Sequence, residues 1–165
     1  MTRVEEIREK LGERGEVRLR VFGGSMVPWI RPGDVLLIRR VDGRQIGAGN
    51  VVLFAREDRL FVHRVIGKRA GGELVTKGDA LPRADAPVTT EELLGRVTFI
   101  LRGTRQISLE TPRQIALGRL LSRLSFSSRL WYPLARVTKR MFLPGRKFFG
   151  PAAPPSSQAP PHDTV

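Results

Sequence analysis

The stretch Leu60-Phe61-Val62-His63-Arg64-Val65-Ile66 is built from aliphatic, β-branched and aromatic residues around two polar ones. That make-up predicts a strand rather than a helix. In strict alternation Phe61, His63 and Val65 face one side, and Val62, Arg64 and Ile66 the other. An imidazole that shares a face with Phe61 and Val65 is partly buried and needs a hydrogen-bond partner. It is then either a structural histidine or a base.

The same pattern extends on both sides. Val17–Phe22, Asp34–Arg40, Val51–Phe54, Leu74–Lys77 and Leu94–Leu101 are further strand candidates. Turn signals separate them at Arg31-Pro32-Gly33, Asp42-Gly43, Gly47-Ala48-Gly49, Glu57-Asp58 and Ala70-Gly71-Gly72. The expected fold is therefore mainly β, a small antiparallel β domain over residues 16–102. Before it, residues 1–15 hold a short helix, with Val4, Ile7 and Leu11 on one face and Glu6 set to pair with Lys10. After it, Thr111-Pro112 opens a helical extension placed over 103–149, with a break expected at Pro133. Residues 150–165 hold five prolines and no apolar periodicity, the composition of a disordered tail.

Composition narrows the chemistry. The 165 residues contain no cysteine and two histidines, His63 and His162. Disulfides, thiol nucleophiles and thiolate metal sites are thereby excluded, and two histidines are too few for a structural zinc site. Imidazole chemistry in the folded region must use His63. The formal net charge is +13. Residues 101–150 carry eleven basic groups against the single Glu110, interleaved with leucines and aromatics. Such a stretch fits either an anionic membrane surface, through residues 112–149, or a helix pair that completes the core. Nucleic acid is not an expected partner, because no helix-turn-helix or RNA-binding motif accompanies the charge.

Two other segments can carry chemistry. Gly23-Gly24-Ser25-Met26-Val27-Pro28 places a serine on a glycine turn, where it is either a solvated side chain or a presented hydroxyl. Thr76-Lys77-Gly78-Asp79-Ala80-Leu81-Pro82-Arg83-Ala84-Asp85 holds two carboxylates six residues apart. Either can stand behind His63, and a turn-capping role is the simpler account of Asp79. A serine nucleophile needs a base, and that base gains from an acceptor fixing its tautomer.

Taken in order with Gly33-Asp34 and Gly49-Asn50-Val51-Val52, these segments resemble type I signal peptidases over residues 21–101. The wider superfamily includes the LexA-like self-cleaving peptidases. The resemblance is closest to the archaeal and endoplasmic-reticulum branch, which uses serine, histidine and aspartate where most bacterial members use lysine as base. It implies Ser25 as nucleophile and backbone oxyanion donor, His63 as base and Asp85 as orienting carboxylate, with Asp79 as the alternative. Gly24, Met26, Pro28, Asp34 and Lys77 are implied as structural parts of the motifs, and no metal or organic cofactor is implied.

Three departures accompany the match. Gly23 stands where the family often has a serine that helps hold the oxyanion, and Asn50 replaces an aspartate. The family's N-terminal membrane anchor has no counterpart here. The expectation is a serine endopeptidase acting on leader or signal-type peptides of precursor proteins. Its expected location is cytoplasmic, or peripheral on the inner face of the membrane, with the oligomeric state unread. A LexA-like self-cleaving regulator and an idle peptide-binding or membrane-docking module are the alternatives. LexA-like proteins cut an Ala-Gly bond upstream of the serine, whereas Ala70-Gly71 lies downstream of both Ser25 and His63.

Overall fold

The computed structural model describes residues 2–125. The second helix expected beyond Pro133 and the proline-rich tail lie outside the described residues. The chain opens with α1 (Arg3–Arg14) and continues through β1 (Glu16–Arg20), β2 (Val35–Arg39), β3 (Val51–Arg56), β4 (Arg59–Lys68), β5 (Leu74–Lys77), β6 (Leu93–Arg102) and β7 (Arg105–Ser108) to α2 (Pro112–Ser125). The strands form one antiparallel sheet in the order β1-β2-β6-β3-β4-β5, with β7 also on β6.

Local chemistry accounts for the elements. Thr2 and Glu5 form a reciprocal capping box that starts α1. Val4, Ile7 and Leu11 bury the apolar face of that helix, and Glu6 contacts Lys10. The β3–β4 hairpin turns on Glu57 and Asp58, both at positive φ, as a two-residue mirror-image turn requires.

Alternation along β3 divides the core. Val51, Leu53 and Ala55 pack with α1, Met26, Ile30, Leu36 and Ile38. Val52 and Phe54 pack on the opposite side with Ile46, Val65, Leu74 and Val88. β6 joins these halves, because β2 runs along one side of it while β3 and then β7 share the other.

The structure departs from the sequence expectation at the end of the sheet. β7 was not expected, and it carries the sheet past the boundary placed at residue 102. Its four residues, Arg105-Gln106-Ile107-Ser108, contain one apolar side chain and leave Arg105 and Gln106 exposed. Propensity is weak in so short an edge strand; pairing with Phe99–Arg102 creates it.

The described part of α2 lies on the β domain. Gly118 meets Gly49 so closely that a Cβ at 118 would stand 2.6 Å from the Gly49 carbonyl oxygen. Leu117 and Leu121 are half-buried, while Leu120 remains exposed. A cavity of about 440 Å³ remains beneath the helix, lined by Trp29, Val97, Ile100, Arg102, Leu117 and Leu121 among others. Among the described residues, no helix is long and apolar enough to cross a membrane.

Asp34 ties the start of β2 to the end of β6. Its buried carboxylate accepts from the Arg31 amide at 2.8 Å and from Arg102 Nε and a terminal guanidinium nitrogen at 2.8 and 2.7 Å. Burial opposes its ionisation most strongly, yet the bonds from Arg102 and Arg31 together hold it below the ordinary value of 3.8. A group depressed in the folded state contributes stability above its unfolded pKa, and that contribution is lost as pH falls through the folded pKa. Urea unfolding followed by circular dichroism should therefore show wild type losing stability below about pH 4. Asp34→Asn should start less stable at neutral pH and fall less steeply. Parallel pH dependences in the two proteins would refute this role.

Candidate active site

Ser25 stands on the turn that follows β1. The Met26 side chain behind it is buried in the core, and Ile30 N–H closes the turn onto the Met26 carbonyl. The Val27–Pro28 peptide is cis. Gly23, Gly24 and Pro28 are exposed, and Ser25 is half-buried.

The second segment meets the first through main chain. Ala80 N–H donates to the Ser25 carbonyl at 2.8 Å. A Cβ at Gly78 would stand 2.7 Å from that same oxygen, so this approach requires glycine. Leu81 N–H turns back onto Gly78 O, and Asp85 N–H returns to Thr76 O at 2.8 Å.

His63 pairs in register with Val52 and packs against Phe54 and Phe61 on the alternation face that it shares with Val65. It is 4 % exposed. Its Nε2 lies 3.1 Å from Ser25 Oγ, and its Nδ1 lies 2.7 Å from Asp85 Oδ2. A carboxylate only accepts, so Nδ1 carries the proton and Nε2 turns its lone pair toward the Ser25 hydroxyl. Three side chains far apart in sequence thus form one chain of hydrogen bonds. Such an arrangement can withdraw a proton from a hydroxyl and hold the resulting imidazolium beside a negative charge.

The structure separates the two carboxylates. Asp79 does not reach His63; it takes Arg64 in a two-pronged pair, with Nε at 2.9 Å and a terminal nitrogen at 2.7 Å. Arg64 also donates to the Gly49 carbonyl at 3.1 Å. Lys77 is buried beside them, and burial pushes its pKa down against the pull of Asp79. Asn50 accepts from Gly47 N–H at 2.9 Å, a turn-holding role for the residue that replaces aspartate.

The family whose description is Peptidase S24-like matches residues 6–98. The chain belongs to the peptidase S24-like family. It is thereby a member of the LexA and signal-peptidase-like superfamily of serine peptidases. A search of curated proteins finds no match to it. The S24-like match spans most of α1 and the sheet as far as Thr98, and so contains Ser25, His63, Asp79 and Asp85.

Sequence reasoning missed two partners inside this S24-like domain. Alternation puts Arg64 on the face opposite His63, but nothing in the sequence pattern links its guanidinium to Asp79. The sequence shows Thr76 only as part of a strand end, yet its hydroxyl lies 2.7 Å from Asp85 Oδ2. Among the described residues, no group of three or more His, Asp or Glu side chains is placed to hold a metal ion.

The two aspartates should respond differently to substitution. The Arg64 and Asp79 side chains are only 7 % and 6 % exposed, and removing one partner strands the other's charge. Asp79→Ala should cost about 3–5 kcal/mol of stability. Asp85→Asn keeps shape and some bonding and should cost about 1 kcal/mol. Urea titrations of both variants measure the difference, and equal losses would contradict this division of labour.

Proposed function

We propose that this chain is a signal-peptidase-like serine endopeptidase that cleaves leader or signal-type peptides by a Ser-His-Asp mechanism. The observation that carries the reading is the continuous line from Ser25 Oγ through His63 to Asp85, at 3.1 and 2.7 Å.

In this mechanism His63 Nε2 takes the Ser25 proton as Oγ attacks the scissile carbonyl. Asp85 holds the imidazole in the required tautomer and balances its charge. The Ser25 amide donates to the developing oxyanion, and His63 then returns the proton to the leaving amine. A water molecule, activated by the same imidazole, releases the acyl group from Ser25. The exposed segment Phe22-Gly23-Gly24 leads directly into Ser25 and offers main chain to an extended peptide. The resemblance favours small side chains at the cut.

Family membership gives self-cleavage a specific claim as the second reading. The chain's Ala-Gly pairs, Ala48-Gly49 and Ala70-Gly71, both follow Ser25. Gly49 is buried under α2, which favours cleavage of a separate substrate. Mass spectrometry of the purified chain after prolonged incubation separates these readings, since a self-cleaving protein yields two fragments and a peptidase stays whole.

The proposal includes a peripheral site on an anionic membrane, reached through residues 112–149. α2 keeps Arg113, Arg119 and Leu120 exposed while its Gly118 side packs on the domain. Cosedimentation of the full chain with anionic vesicles should weaken steeply as salt rises.

Product termini from candidate precursors, read by mass spectrometry, test the enzyme directly. Ser25→Ala should abolish cleavage, and His63→Ala should lose nearly as much, because such groups act as a unit. Asp85→Asn should lose less, about 10²- to 10⁴-fold. Cleavage by Ser25→Ala at the wild-type rate would end the serine-peptidase reading. Gly23→Ser provides a gain-of-function test. A Cβ at 23 meets open space, and a hydroxyl there would add an oxyanion donor. Turnover should rise, by up to about 10²-fold.

A further inference from the structure

Asp85 Oδ2 receives two hydrogen bonds on the same atom, from His63 Nδ1 at 2.7 Å and from Thr76 Oγ1 at 2.7 Å. Thr76 also accepts the Asp85 amide through its own carbonyl at 2.8 Å. One residue therefore holds both the main chain and the side chain of the aspartate. Thr76 is itself fully buried and lies opposite Val65 in the β4–β5 pairing, two positions along from His63. Asp85, by contrast, is carried by a loop whose neighbours Ala84 and Ala86 are exposed, and its side chain remains 19 % exposed. A carboxylate on such a loop has rotational freedom unless something fixes it.

We infer that Thr76 is a positioning residue, a two-point clamp that aims the Asp85 carboxylate at His63. This rests on the Ser-His-Asp reading above and deepens it. The main-chain bond sets where Asp85 sits along β5. The hydroxyl sets the carboxylate rotation, so that Oδ2 faces the imidazole. Without the hydroxyl the carboxylate swings toward solvent, His63 loses its fixed tautomer, and fewer Ser25–His63 encounters are productive.

The test compares Thr76→Val, which keeps shape and deletes the donor, with Thr76→Ser, which keeps the donor. A fluorophosphonate probe reports the reactivity of Ser25, and its saturation kinetics separate the maximal labelling rate from apparent binding. Thr76→Val should lower the maximal rate about tenfold with binding unchanged, and Thr76→Ser should restore it to within about twofold of wild type. The low-field proton resonance of His63 Nδ1–H supplies a second readout that needs no substrate or probe. It should move upfield in Thr76→Val and hold its place in Thr76→Ser. If Thr76→Val fails to fold, Thr76→Ala against Thr76→Ser carries the same comparison. Wild-type labelling and an unmoved resonance in the donorless variant would overturn the clamp. So would a Thr76→Ser protein as impaired as Thr76→Val. A wild type that the probe never labels would count against the peptidase reading alone, while the resonance still decides the role of Thr76.

Discussion

The site depends on two adjacent buried polar residues of β4. Alternation sends His63 and Arg64 to opposite faces of the sheet, and neither face offers water in quantity. Each must find a partner, and each finds an aspartate from the one loop that follows β5. Asp79 takes Arg64 on one side, and Asp85 takes His63 on the other. The loop therefore passes over the end of the β4–β5 pair, and the five residues between the aspartates cover that crossing. Sheet alternation and the cost of unpaired buried groups together determine where the Asp85 carboxylate must lie.

The two pairs have different consequences because their surroundings differ. Arg64 is tied at three points, to both Asp79 oxygens and to Gly49, and that arrangement anchors the loop. Once anchored, the loop brings Ala80 N–H to the Ser25 carbonyl and so sets the height of Ser25 relative to the sheet. His63 has one partner on each nitrogen, and the link to Ser25 is the longer of its two bonds. A rigid ion pair beside a looser line of hydrogen bonds suits the proposed chemistry, in which the frame stays still while a hydroxyl proton moves. Gly49 connects this frame to α2, because its carbonyl accepts from Arg64 while its α-carbon faces Gly118.

Much of the architecture was legible in the residues. α1 could be read because Val4, Ile7 and Leu11 repeat at helical spacing between Thr2 and Gly15. The six expected strands all form, with ends shifted by a few residues, since their apolar runs are dense and most of their turns carry glycine or proline. β7 was not legible, because a four-residue edge strand with one apolar side chain exists only through its neighbour. The site was legible in part. Alternation placed His63 on a face with Phe61 and Val65, and the structure keeps it there. The choice between Asp79 and Asp85 was not available from spacing, since both lie in the same loop after β5. It is decided by which face of β4 each approaches, a property of three-dimensional pairing. Thr76 stayed hidden for the same reason, as a buried threonine on a strand has no sequence signature of its acceptor.

The proposed base also has a physical rationale beside the lysine base of most bacterial members of the signal peptidase family that the sequence resembles. A lysine can act as a base near neutral pH only if its surroundings depress its pKa, which calls for burial without a nearby carboxylate. At the position of His63 the reverse holds, since Asp85 stands 2.7 Å away and would hold an ammonium group charged. Imidazole has an ordinary pKa of about 6.5 and is mostly neutral at pH 7 without such help. It can therefore accept a carboxylate neighbour, and it gains a fixed tautomer from one. Lys77 illustrates the contrast, since burial depresses its pKa while Asp79 works against that shift. An acidic orienting residue and an imidazole base thus form a matched set. The Thr76 hydroxyl belongs to the same set, because it spends none of the imidazole's bonding capacity and fixes only the carboxylate.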